Sequence, residues 1–342
     1  MENVRATINN GLIIGTLSEK STEIKQIEIE KEDKTKMTCN AIQGNIVIST
    51  KNGDYNLRIS QPEYNRKGDK AKLYANMETL HNSYVSAADA AKNKDLTPDV
   101  ISATVNLGCW DRYNQNSDKM VTSPQVRIIK VNRENADKES QTDFQLEGVI
   151  RSIVAETIPS KNENEEPEET GRYIVEFITV NYRGEAEPFT LIVPEDLAEA
   201  FIDGYVDEIT GEQVPGYAPG DTCCLGVELN MHRVGGQKKS KGGFGRKANT
   251  NEGFEILELI VIGGEPAYDE NTEDEKRKPF TPDVMKSLMV ERDMKLKNIE
   301  NEAKNNGSSA GAAPASKAGK SKGLGNRKPN VGSMSGMDGA PF

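Results

Sequence analysis

One order of segments is written twice in this chain: three β-like runs, a short helix, then two more runs. In the first copy, β-favouring side chains recur over residues 38–49, 55–60, 71–80, 100–113 and 126–131. The Asn52-Gly53 pair between the first two runs is a strong hairpin signal. The alanine-rich segment 83–94, with Ser86 as a cap, is the helix expected between runs three and four. The second copy has runs over 144–157, 173–182 and 188–193. A helix over 194–204 follows, with Pro194 at its start, acids in its first turn and Gly204 at its end, and runs over 222–234 and 254–262 complete the set. Order and spacing rather than identity carry the repeat, and they point to duplication of one domain.

Three strands, a helix and two strands is the layout of the OB-fold, a five-stranded Greek-key barrel that binds oligonucleotides or oligosaccharides on strands two and three and with loops one-two and four-five. The fold class predicted is therefore mainly β, with two tandem OB-fold-like five-stranded barrels. Domain limits follow: an N-terminal hairpin extension over 1–36, the first barrel over 37–140, the second over 141–266, an acidic linker and surface helix over 267–304, and a disordered tail over 305–342.

The four-five loop of the second copy, 235–253, holds five cations (Lys238, Lys239, Lys241, Arg246, Lys247), six glycines, Phe244, and no acid before Glu252. It is too polar to pack a core of its own. In a chain of net charge -11, such a cluster reads either as a finger that closes on a polyanion, with Phe244 stacking on a base, or as a solvated hairpin tip. The corresponding loop of the first copy, 114–124, is shorter and nearly neutral. The one-two loop of the second copy, 159–170, is strongly acidic and argues against every loop gripping nucleic acid.

Aromatics fall where a stacking surface would want them: Tyr55, Tyr74, Trp110 and Tyr113 in the first copy, Tyr173, Phe177, Tyr182 and Phe189 in the second. Stacking contributes about 1–3 kcal/mol per base and is indifferent to sequence, since every base has a π-face. Arg58 and Arg112 lie beside these rings in sequence, and Arg127 and Lys130 are among the further cations of the first copy. The competing account is that most of these rings fill the barrels.

Catalysis has little to draw on. No phosphate-loop, GxSxG or HExxH motif occurs, and the only histidines, His81 and His232, are far apart. Cys39, Cys109, Cys223 and Cys224 form no CxxC pair and are expected to be reduced core thiols. The expectation is a protein that is not an enzyme and needs no cofactor or metal. No apolar run approaches 18 residues and no secretory leader opens the chain, so a cytoplasmic protein with no membrane contact is predicted.

The last residues, including Asp338, Pro341 and Phe342, close a Gly/Ser/Pro-rich tail. They resemble the C-terminal tip of bacterial and bacteriophage single-stranded DNA-binding proteins. In that family the tip follows an OB-fold and docks on replication, recombination and repair proteins. The resemblance implies single-stranded DNA as ligand and protein partners recruited through Asp338, Pro341 and Phe342. The tandem layout looks more like a phage-encoded replication protein. The alternative is a structural or virion-assembly protein whose β domains bind protein. Oligomeric state is not legible in the sequence.

Overall fold

In the computed structural model, which describes residues 4–115, 117–158, 167–207, 211–234 and 254–308, the strand β1 (Asn9–Glu30) holds the architecture together. It pairs antiparallel with β2 (Lys36–Thr50) over residues 16–30, with β4 (Val100–Asn114) over 11–16, and with β6 (Gln141–Ile158) over 9–14. Its alternating side chains Ile13 and Leu17 are fully buried, as expected of a strand walled in on one face.

The first barrel adds β3 (Gly53–Pro62) beside β2 and β5 (Lys119–Arg133) beside β4, in the order β3-β2-β1-β4-β5, with β5 lying next to β3. Helix α1 (Lys72–Ser83) comes between β3 and β4 and sinks Tyr74, Met77 and Leu80 into the core. The second barrel repeats this with β6, β7 (Glu168–Val180), β8 (Ala186–Val193), β11 (Thr222–Val234) and β12 (Phe254–Gly264). Helix α3 (Glu195–Ile202) and a two-stranded ribbon of β9 (Tyr205–Val206) and β10 (Gln213–Val214) lie between β8 and β11. A parallel bridge from Ile192 to Ile260 closes it. Both barrels thus have the OB-fold connectivity, and the β1–β6 ladder joins them into one ten-stranded sheet.

A pair of glycines marks the repeat at atomic scale. Gly15 pairs with Ile101 on β4, and Gly148 pairs with Cys223 on β11. Two residues on, Leu17 faces Ile48 on β2 and Ile150 faces Phe177 on β7. A Cβ on Gly15 would meet the carbonyl oxygen of Ser49 at 2.3 Å, and one on Gly148 that of Ile178 at 2.5 Å. At equivalent points strand one passes too close to strand two for any side chain.

The second copy matches the expected plan run for run, whereas the first is displaced by one strand. Residues 1–36 do not form an added hairpin: the runs near Gly11 and Ile27 are one strand, β1, and the first barrel starts there rather than at Met37. The run 71–80 is α1, not a strand. Leu73, Tyr74, Met77 and Leu80 follow helical spacing, and the segment is rich in good helix formers. The expected helix over 83–94 is reduced to α2 (Ala87–Ala90), although Ser86 does cap it, in a capping box with Asp89.

Helix α4 (Pro282–Ser308) follows Thr281, whose hydroxyl accepts from the Val284 amide at 3.4 Å. It lies on the outside of barrel two but is more than a surface helix. Met285 and Leu288, with Phe280, pack on Val149, Ile178, Val180 and Ala186 as a second small core, and Arg292 continues the buried stripe. No helix among the described residues is long and apolar enough to cross a membrane.

Candidate nucleic-acid interface

The β4–β5 hairpin runs well past barrel one, its ladder continuing from Ile101–Arg133 to Asn114–Lys119. Alternation along a strand sends successive side chains to opposite faces, so the two sides of this ribbon have separate surroundings. The outer face holds five cross-strand pairs from Asn106–Arg127 to Asn114–Lys119. It carries Trp110, Arg112, Lys119 and Arg127, and no carboxylate. Trp110 is 53% exposed, and the Arg112 guanidinium lies 4.9 Å from its ring centroid. Arg127 folds back across the strand: its guanidinium occupies the place of a Cβ on Gly108, 2.2 Å from that position, and donates to the Cys109 carbonyl at 3.2 Å. Arg112 and Arg127 therefore flank the indole along the ribbon, Gly108 and Trp110 being about 7 Å apart as i and i+2 of a strand.

The other face is a bracing surface. Asp111 accepts from Arg292 of α4 at 2.7 Å, and the same guanidinium reaches the Thr122 hydroxyl at 3.3 Å and the Ala186 carbonyl at 3.2 Å. The Cys109 thiol donates to the Pro188 carbonyl at 3.3 Å, and burial pushes its pKa up to about 12. One side of the hairpin is thus fastened to barrel two and α4, which leaves the aromatic, cationic side displayed. Among the described residues no group of three or more His, Cys, Asp or Glu is placed to hold a metal ion.

A family model described as YorF matches residues 17–302. The chain belongs to the YorF family. No curated protein matches this YorF chain. Among solved structures, it is similar to the wild-type single-stranded DNA-binding protein from Thermus aquaticus, at 12% identity and a TM-score of 0.39, over 80% of this chain and 100% of that one. A deletion mutant of the same Thermus aquaticus protein gives 11% identity and a TM-score of 0.33, over 79% and 99%. The barrel assignment for this YorF member rests on its own strand pairings.

The YorF fold separates the other residues expected at a binding face. Tyr55 is fully buried, and its hydroxyl donates to the Leu229 carbonyl of barrel two at 2.8 Å, so it is a joint between barrels and not a stacking ring. Tyr74 at 3% exposure and Phe177 at 0% are core residues. Tyr173 is half-buried against the barrel-two core. These four rings fill the barrels because each lies in the inward register of its element. Arg58 is exposed on β3, opposite Asn45, on an outer face that is otherwise polar and carries Asp54. Lys238, Lys239, Lys241, Phe244, Arg246 and Lys247, and Asp338, Pro341 and Phe342, lie outside the described residues. Of the expected site, the fold brings together Trp110 and Arg112, with Arg127 added across the ladder. The alternating Trp110-x-Arg112 pattern is the sequence signal for that face. Arg292 carries no such signal, since nothing in a charged helix distinguishes the arginine that will be buried.

Proposed function

We propose that this YorF-family protein binds single-stranded DNA without regard to sequence, and that the outer face of the β4–β5 hairpin is a principal contact. One observation carries the reading: an exposed indole, covered by a guanidinium, stands on a hairpin face that carries three cations and no acid of its own, in a chain of net charge -11. Among the described residues only Arg127 of the three reaches a carboxylate, Glu187 of barrel two at 3.7 Å. A flat ring with cations on either side suits an unpaired base with its neighbouring phosphates, and a duplex offers no free π-face. The basic loop 235–253 and the C-terminal tip extend the proposal on sequence grounds, the first as a second phosphate contact and the second as a recruiter of replication or recombination proteins, in a phage or its host.

The test is a titration of the full chain with single- and double-stranded oligonucleotides of mixed sequence at several salt concentrations. Trp110 is the only tryptophan, so its fluorescence reports on the proposed site directly. Quenching by single strands in preference to duplex, with log affinity falling linearly against log salt, is expected. Equal affinity for duplex, or no change in the indole signal, defeats the reading. The second reading, an assembly protein whose β domains bind protein, draws on a different observation. Val154, Ile174, Ile192 and Ile260 form a row across four strands on the outside of barrel two, with Val154 59% exposed. Self-association without oligonucleotide binding would favour it.

A further inference from the structure

Resting on the reading above, we propose that the bound strand continues from the barrel-one hairpin across the junction between the barrels, to a second stacking position formed by Tyr182 and Arg183 at the β7–β8 turn. Tyr182 is 76% exposed, more than any other large hydrophobic side chain described. Its ring meets no core. What it does meet is Arg183, whose Nε donates to the Tyr182 hydroxyl at 2.9 Å and whose guanidinium lies 5.3 Å from the ring centroid. This repeats on barrel two the pairing of Trp110 with Arg112 on barrel one.

The turn that presents Tyr182 is pinned. The Asn181 side-chain oxygen accepts from the Arg183 and Glu185 amides at 2.9 and 3.1 Å, and the Asn181 amide donates to the Glu185 carbonyl at 3.0 Å. Gly184 takes the left-handed conformation that closes the turn, at φ 75°. An aromatic held out on a rigid turn loses little conformational freedom when a base stacks on it.

Beside the Tyr182–Arg183 pair lies an open cavity of about 250 Å³, walled by Cys109, Asp111 and Arg127 of the hairpin, by the β7–β8 turn and by Arg292 and Lys295 of α4. Arg127 belongs to both places: it lies over Gly108 on the Trp110 side of the ribbon and also lines the cavity. The charges inside do not cancel. Arg292 is paired with Asp111 at 2.7 Å, Lys295 with Glu185 at 3.1 Å and Arg127 with Glu187 at 3.7 Å. Arg183 closes no ion pair among the described residues, although its charge acts on the Glu185 carboxylate. The cavity thus presents four cations against three carboxylates, with Arg183 beside an exposed ring and Arg127 reaching to the Trp110 side of the ribbon. A single strand takes this path with one base on Trp110, phosphates past Arg127 and Arg183, and another base on Tyr182.

The experiment titrates the full chain with oligothymidylates of increasing length and follows the Trp110 fluorescence. Tyr182→Ala is expected to leave the affinity for the shortest bound oligomers unchanged and to weaken long ones about fivefold or more, the loss of one stacked base. Tyr182→Phe is expected to restore the long-oligomer affinity, since it keeps the π-face. Arg183→Ala should reduce the salt slope on long oligomers by about 0.7, the loss of one phosphate contact. Long-oligomer affinity unchanged in Tyr182→Ala, with Trp110 still quenched, overturns the second position and leaves the hairpin site standing. Equal weakening at every length also overturns it, because a single compact site would then hold both rings. Absence of Trp110 quenching at any length removes the hairpin site itself.

Discussion

The Arg292 guanidinium and the Asp111 carboxylate form a 2.7 Å ion pair between α4 and the tip of the barrel-one hairpin, with only 6% and 9% of the two side chains exposed. Arg292 also donates to the Ala186 carbonyl and the Thr122 hydroxyl. A charge buried here is tolerable because its partner is present, and it becomes a liability when the partner is removed.

Asp111→Ala is therefore expected to destabilise the protein by about 3–5 kcal/mol, since it strands a buried guanidinium. The double change Asp111→Ala with Arg292→Met should cost much less than the two single changes together. Denaturant unfolding of the four proteins closes the cycle, and additive losses would show that the pair is not coupled.

Gly15→Ala and Gly148→Ala should each cost about 1–3 kcal/mol or more, because a methyl group is driven against a backbone carbonyl that cannot move without breaking the sheet. Their equivalence predicts similar losses. Thermal unfolding of both variants is the measurement, and a tolerated alanine at one position alone would deny that the two barrels bend their first strands alike.

Burial raises the Tyr55 hydroxyl to about 12 from an ordinary 10.0. The unfolded chain then loses this proton before the folded one does. The contribution is fully present below pH 10 and is lost as pH rises from 10 towards 12, so stability should fall across that window. Tyr55→Phe should flatten that fall while lowering stability at neutral pH, where the bond to the Leu229 carbonyl is lost. A pH slope identical in the two proteins would assign the alkaline loss to other groups.

Replacing Lys238, Lys239, Lys241, Arg246 and Lys247 together by alanine should flatten the salt dependence of oligonucleotide binding by at most about 3.5 units, and leave stability nearly unchanged. Gly108→Ala acts on the hairpin by a different route. It displaces the Arg127 guanidinium and should remove about 0.7 of a unit by itself. Salt titrations of the two variants and of their combination show whether loop and hairpin contact the same strand.

Barrel two is legible in the sequence almost element by element. Each of its strands has β-favouring alternation, and Pro194 with Glu195 and Asp196 announces α3. Barrel one is harder, for two local reasons. Tyr74 and Leu80 resemble strand residues until Leu73 and Met77 are placed between them at helical spacing. The polar stretch 18–23 within β1 hides that the apolar residues before and after it belong to one strand, since it is held by its ladder to β2 and by polar contacts of Lys20 and Thr22 with His81 rather than by apolar burial. Only Tyr74 is misplaced by this slip; Tyr55, Tyr173 and Phe177 lie on expected strands, and it is the inward side of each strand that the sequence leaves undecided. Trp110 and Arg112 keep their outward register because the hairpin extends beyond the barrel, where no core claims them. Arg127 is invisible as a neighbour of Trp110 until β5 is laid against β4, and Tyr182, which the sequence puts at the end of the run 173–182 among the candidate stacking rings, lies on the β7–β8 turn, where its pairing with Arg183 is not legible beforehand.

The early position of β1 in the chain sets an order of events during synthesis. Its partner β2 emerges almost at once, but Gly11 waits for Val105 and then for Phe144 before both of its edges are paired. At a translation rate of about 5–20 residues per second, that leaves an apolar strand edge open for several seconds or more. During that interval its nearest unpaired counterpart is the same strand of a neighbouring nascent chain. Conditions that slow elongation between β2 and β6 should therefore favour aggregation over folding, even though the finished protein hides both edges.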